Sequence, residues 1–182
     1  MMRIKLLAHS RLSDDAFNEF KDVCEDAVSD GQIISLAAIR QCYSHKTACE
    51  VLETESKKYF GEKGKEGKRL INHIIKSGHT STMEHTHFTF TVEGVSRALL
   101  AQLTRHRQLS FSVQSQRYNK FSSDSRSGGF DYVVPNTIKP QDLTRYELMM
   151  NDIQDMYDEL IGIGVPQEDA RSVLPNSACV NL

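Results

Sequence analysis

The chain predicts an α+β fold, rich in helix with a small antiparallel sheet, on three observations. Several stretches repeat apolar residues at helical spacing, one stretch alternates between apolar and polar residues, and glycines and prolines sit between them. The 182 residues suit a single domain. Hydrophobic residues at 39% and charged residues at 25% are enough for a packed core with a solvated surface. A formal net charge of -2 argues against a nonspecific nucleic-acid binder, which carries a clear basic excess. There is no apolar run of about 18 residues, so no transmembrane helix is predicted. The apolar part of Met1 to Leu7 is too short for a signal peptide. Cys24, Cys42, Cys49 and Cys179 form no CxxC pair, and they read as reduced, buried small residues of a cytoplasmic protein.

Ile4 to Ala8 predicts an opening strand. Asp14 to Ala27 predicts a helix, with Phe17, Phe20 and Val23 at helical spacing. Ile33 to Tyr43 is a stronger helix, in which Ile34, Ala37, Ala38 and Gln41 share a face beside Leu36 and Ile39. Thr47 to Tyr59 predicts a more exposed helix. Residues 61–67 read as a charged, glycine-punctuated turn, followed by an amphipathic helix from Lys68 to Ser77 that Gly78 caps. His85 to Val92 alternates Phe88, Phe90 and Val92 with His87, Thr89 and Thr91, the period of a half-buried strand with a polar face. After Gly94, helical spacing returns from Val95 to Arg107. Ser122 to Gly129 is a polar loop and Tyr132 to Pro135 an extended piece. Gln141 to Ile163 is the longest helix, with an apolar stripe through Leu143, Met149, Met150, Ile153, Tyr157, Leu160 and Ile161. Pro166 opens a last helix through Leu174, which Pro175 stops. The segment from Asn176 to Leu182 is apolar enough to continue into an element, so the domain, 1–182, is expected to be C-terminally incomplete.

The run from Arg105 to Arg117 carries the chemistry. Arg105, Arg107 and Arg117 are interleaved with serines and glutamines, directly after an apolar stretch. Such a cluster near an apolar surface needs an anion or a polar ligand to satisfy it. The planar fork of arginine fits phosphate bidentately, and Ser110, Ser112 and Ser115 add neutral donors. Gln102 lies three residues before Arg105, so both fall on one helical face. The competing reading is a solvated basic helix C-terminus, favoured by the helix dipole. The stretch from His79 to His85, with Glu84 and His87, reads as a capped turn, a cofactor or phosphate loop, or a metal site. Metal ranks last because the spacing fits no familiar zinc pattern. Arg171 alone reads as a C-terminal cation. No P-loop, dinucleotide fingerprint or Ser/His/Asp order is present.

Three separated motifs, in order, resemble the flavin-dependent thymidylate synthases. They are Arg105-His-Arg107 followed by seven residues and Ser115-Gln-Arg-Tyr118, the loop from His79 to His85, and Asp169-Ala-Arg-Ser-Val-Leu-Pro175. The resemblance runs from Ala37 to the end and implies that family's α+β fold. It implies reductive methylation of dUMP to dTMP, with methylenetetrahydrofolate as carbon donor and FAD, reduced by NADPH, as hydride carrier. It implies a homotetramer with active sites shared between subunits. By this resemblance His79, Ser81, Glu84, Arg105, His106, Arg107 and Val113 hold FAD. Gln102, Leu103, Thr104, Arg105, Val113, Gln114, Ser115, Gln116, Arg117 and Arg171 hold dUMP. No resident metal is implied, and no enzyme cysteine acts as nucleophile. The catalytic arginine of the family, with an Asn-x-Arg flavin contact and a histidine, is expected past Leu182. Cys42 and Ser81 stand where serine and threonine are frequent. Val113 replaces a frequent glutamate or glutamine, so contact there is through backbone. The alternative is a truncated, inactive homologue that keeps nucleotide binding or the oligomer surface. A nucleic-acid module is disfavoured by the charge and by the scarcity of aromatics beyond Phe111 and Tyr118.

Overall fold

The computed structural model describes residues 2–20 and 28–182. The chain forms two compact units, one of Leu6–Thr89 and one of Met1–Lys5 with Phe90–Leu182. Strand β1 (Arg3–His9) pairs with β2 (Phe88–Glu93) in a two-stranded sheet, and each strand contributes residues to both units.

The first unit is helical: α1 (Asp14–Phe20), α2 (Asp30–Tyr43), α3 (Ala48–Phe60) and α4 (Lys65–Ser77). Two of these starts are fixed by capping boxes. The Ser29 hydroxyl accepts from Gln32 N while Gln32 Oε1 accepts from Ser29 N, and Thr47 and Glu50 repeat the arrangement on α3. The backbone bond from Thr47 holds the Glu50 carboxyl below its usual pKa. Ile33, Leu36 and Phe60 form the core, with Leu52, Tyr59, Leu70 and Ile71 packed on it. Arg40 Nε donates to Glu55 Oε2 at 3.0 Å, joining α2 to α3. Gly67 lets α4 approach α3 closely: a Cβ there would lie 2.5 Å from the Tyr59 carbonyl oxygen. Gly78, at φ 78°, ends α4 in the left-handed region and donates to the Ile75 carbonyl.

The second unit contains β3 (Val95–Ser96), α5 (Arg97–Leu103), α6 (Leu143–Gly162), α7 (Gln167–Ala170) and β4 (Cys179–Val180). Strands β3 and β4 pair antiparallel, Val95 with Val180 and Ser96 with Cys179. Val95, Leu100 and Val180 form one cluster, against which Val92, Val113 and Leu182 pack. Phe121, Tyr157 and Ala170 form another, between α6 and the polar loop. Gln154 on α6 holds that loop at two points: its Nε2 donates to Phe121 O and its Oε1 accepts from Phe130 N, both at 2.9 Å.

The helix-rich α+β class with small antiparallel pairings holds. Several boundaries and burials differ from expectation. Only Asp14–Phe20 of the first expected helix is described as helix, and 21–27 lie outside the described residues. On α2 the buried residues are Ile33, Ser35, Leu36 and Ile39, so the packed face is rotated from the one expected. Residues 61–67 are not all turn: a short 3-10 segment (Glu62–Gly64) leads straight into α4 at Lys65. His85 and His87 precede β2 rather than share a strand face, and Phe88 and Phe90 are 59% and 51% exposed and belong to none of the three core clusters. On α6, Met149 points outward while Met150 and Tyr157 are buried. The last expected helix is the four-residue α7 followed by a 3-10 turn (Arg171–Val173). Cys42 and Cys49 are exposed, and burial pushes the half-buried Cys179 thiol up. No helix of the described residues is long and apolar enough to cross a membrane.

Tyr157 is 0% exposed, and its hydroxyl accepts from the Phe121 backbone N–H at 3.2 Å. Tyr157→Phe leaves that buried donor without its partner. The expected cost is about 1–3 kcal/mol, seen as a lower denaturant midpoint with an unchanged slope.

Candidate functional site

The second unit holds a pocket of about 440 Å³, lined by Arg97, Gln116, Glu168, Asp169, Arg171, Ser172, Leu174, Pro175 and Asn176. Sheet pairing builds it. Beyond the β3–β4 register, Arg97 N donates to Ala178 O at 3.1 Å and Ala98 N to Asn176 O at 3.0 Å. These bonds tie the start of α5 to the segment that follows the 3-10 turn. Arg97 and Arg171 therefore line one cavity.

Two guanidiniums in one cavity repel, and the repulsion shows. Burial pushes the Arg97 guanidinium below its usual pKa, and the positive charge of Arg171 pushes it the same way. Glu168 and Asp169 line the same pocket, yet neither arginine forms an ion pair with a carboxylate among the described residues. Arg171 Nε instead donates to the Glu168 backbone carbonyl at 2.9 Å, which fixes its fork. Gln116, 7% exposed, adds a neutral amide to the lining. The two guanidiniums and the neutral amide are donors of the kind that hold phosphate oxygens, and they share the cavity with the carboxylates of Glu168 and Asp169.

The run from Arg105 to Arg117 leaves α5 rather than riding on it. Helix α5 ends at Leu103: Thr104 N makes the last i to i−4 bond, to Leu100 O, which also accepts from Thr104 Oγ1, and the following bonds tighten to i−3. Arg105 N then donates to Gln102 O and His106 N to Leu103 O, so Arg105, His106 and Arg107 sit on an exposed turn. The shared helical face expected for Gln102 and Arg105 is replaced by this turn. Thr104 spends its hydroxyl on the helix end, and Leu103 is half-buried. Val113 packs into the β3–β4 cluster, so its side chain is core. Gln114 is held at both ends by Asn181: its N donates to Asn181 O at 2.9 Å, and its Oε1 accepts from Asn181 Nδ2 at 3.1 Å. The Ser115 hydroxyl accepts from Arg117 N at 3.1 Å. Arg117 is exposed, its guanidinium 5.6 Å from the centre of the Tyr118 ring, and its carbonyl accepts from Gln167 Nε2. Of the dUMP residues implied by the resemblance, Gln116 and Arg171 share the pocket, while Arg105 and Arg117 do not line it.

The remaining implied flavin residues lie in the first unit. His79 precedes a 3-10 turn (Thr80–Met83) that carries Ser81, and Glu84 follows it. The buried Thr82 hydroxyl donates to His79 O at 3.2 Å, and Glu84 N donates to Ser81 O. The Ser81 and Glu84 side chains are exposed.

Sequence reasoning missed Arg97. The signal was present: an arginine at the first position of a helix, the end where a cation is disfavoured, needs an anion or a relief elsewhere.

The second unit thus combines an α+β scaffold with a pocket lined by two arginines, two carboxylates and a neutral amide. The comparisons give the family. The family model described as thymidylate synthase complementing protein matches residues 11–182. The chain is 46% identical over 111 residues to a flavin-dependent thymidylate synthase of Geobacter sulfurreducens, covering 60% of this chain and 46% of that protein. It is 41% identical over 154 residues to one of Nitratidesulfovibrio vulgaris, covering 78% and 59%. It is 33% identical over 181 residues to one of Haloarcula marismortui, covering 86% and 73%. The fold matches the crystal structure of a UMP/dUMP methylase PolB from Streptomyces cacaoi bound with 5-Br dUMP, at a TM-score of 0.65 and 20% identity over 100% of this chain and 71% of that one. The chain belongs to the thymidylate synthase complementing protein family. It spans about half of the first two relatives.

Replacing Arg97 by glutamine removes a cation held beside another cation. In phosphate-free buffer the melting temperature of Arg97→Gln is expected to equal or exceed that of the wild type. At a phosphate concentration ten times its dissociation constant the wild type gains about 1.4 kcal/mol of stability, and the variant gains well under half of that. Differential scanning calorimetry with and without phosphate checks both.

Proposed function

We propose that this chain supplies part of the active site of a flavin-dependent thymidylate synthase, which methylates dUMP reductively to dTMP in the cytoplasm. Methylenetetrahydrofolate gives the carbon and NADPH the reducing equivalents. The reading is supported by the family match and carried by the cavity of Arg97, Gln116 and Arg171, whose chemistry suits a nucleotide phosphate.

In this reading Arg171 and Arg97 take the phosphate oxygens of dUMP, and Gln116 donates to the phosphate or the sugar. Ser115 and Arg117 join them from the loop after α5, and Gln102, Leu103, Thr104, Val113 and Gln114 line the nucleotide, Val113 through its backbone alone. Arg105, His106 and Arg107 fit a pyrophosphate: they are exposed and donor-rich, and none pairs with a carboxylate among the described residues. They would hold FAD together with His79, Ser81 and Glu84. FAD, when bound, supplies the hydride chemistry that no side chain of this chain carries. The chain's own residues bind and orient. No cysteine is assigned a nucleophilic part: among the described residues Cys42 and Cys49 are exposed, and burial raises the pKa of the Cys179 thiol. The assembly would be a homotetramer with shared sites.

Titration calorimetry with dUMP and deoxyuridine tests the reading. Arg171→Ala is expected to weaken dUMP binding by about 1.5–3 kcal/mol, the value of a charge-assisted hydrogen bond, while deoxyuridine affinity is unchanged. Equal loss for both ligands, or for neither, contradicts the phosphate assignment.

A further inference from the structure

The ring of His79, one of the implied flavin residues, has a side-chain partner. Its Nδ1 lies 2.7 Å from Tyr43 Oη, thirty-six residues earlier at the end of α2. The two rings also meet edge to face, with centroids 5.6 Å apart and planes at 87°. The backbone below is held as well, because the buried Thr82 hydroxyl donates to the His79 carbonyl. One hydrogen bond fixes a ring nitrogen, one aromatic contact fixes the ring plane, and one side-chain-to-backbone bond fixes the residue at the mouth of its turn. Tyr43 itself is 58% exposed, so the pair is not explained as core packing.

We infer that Tyr43 is a positioning residue that locks His79 into the tautomer with the hydrogen on Nε2. A phenol is a better donor than acceptor, since its oxygen lone pair is drawn into the ring, and an unprotonated imidazole nitrogen is the better acceptor of the two groups. The Tyr43 hydroxyl therefore donates to Nδ1. Nε2 then carries the ring's single hydrogen and points away from Tyr43 as a neutral N–H donor. That donor suits a carbonyl oxygen or an unprotonated ring nitrogen of an isoalloxazine, and it does not accept a proton from the ligand. This function rests on the reading that the His79 turn lines the flavin. The tautomer itself rests only on the geometry of the first unit.

The test is nitrogen NMR of the chain with ring-15N histidine, with Tyr43→Phe alongside. Tyr43→Phe keeps the ring contact and removes only the hydroxyl, and its melting temperature is expected to match the wild type. In the wild type, His79 Nδ1 should show the downfield shift of an unprotonated nitrogen and Nε2 the shift of an N–H; Tyr43→Phe should show averaged shifts. An Nδ1–H tautomer in the wild type, or identical shifts in the two proteins, overturns the inference. FAD affinity, followed by quenching of flavin fluorescence, tests the consequence. Tyr43→Phe is expected to weaken FAD about fivefold, the loss from ordering one neutral hydrogen bond, and His79→Gln at least as much. Normal FAD affinity in Tyr43→Phe, with weakened affinity in His79→Gln, overturns the positioning role. Normal affinity in His79→Gln removes His79 from the flavin site, and the tautomer lock is then judged on the NMR alone.

Discussion

Two residue pairs, Val95 with Val180 and Ser96 with Cys179, hold the second unit in its working form. A two-residue ladder is weak by itself. It persists because Val95, Leu100, Val113 and Val180 bury their side chains on it and because the next backbone groups, Arg97 N and Ala98 N, extend the bonding to Ala178 and Asn176. That extension decides the chemistry. It forces the segment after α7 to lie along the start of α5, and Arg171 arrives beside Arg97. In the proposed reading a bound dianion sits between these two like charges and relieves their repulsion.

The two units use different means to hold implied ligand residues. In the second unit charged groups gather: the Arg171 guanidinium is held by the Glu168 carbonyl, and it lines a cavity with Arg97. In the first unit, at the His79 turn, Thr82 holds the His79 backbone and Tyr43 contacts its ring. This division suits a phosphate on one hand and a planar, largely neutral ring on the other.

Much of the helical scaffold was legible in the sequence. The periodicity located α2, α3 and α6, and Gly78 marks the end of α4, where its backbone is left-handed. The Arg105 to Arg117 run stood out by residue type, whereas the Asp169 to Pro175 segment stood out only through the family resemblance. The pocket did not, because its geometry comes from a pairing between residues 85 positions apart that no periodicity reveals. Arg97 hid at the start of an apolar helix. Gln114 and Thr104, singled out as ligand residues, spend polar groups on Asn181 and on the end of α5. The residue types of β2 alternate but its burial does not, and Phe88 and Phe90 are exposed, since alternation in sequence reports a side-chain period and not what covers it.

The central claim is that one phosphate group bridges Arg97 and Arg171. A crystal structure of the chain grown with dUMP addresses it directly. The account predicts the dUMP phosphate inside the pocket, with oxygens at hydrogen-bond distance, about 2.7–3.1 Å, from both guanidiniums. A phosphate bound by Arg105 or Arg117 alone, with Arg97 and Arg171 still facing each other without an anion, would contradict it.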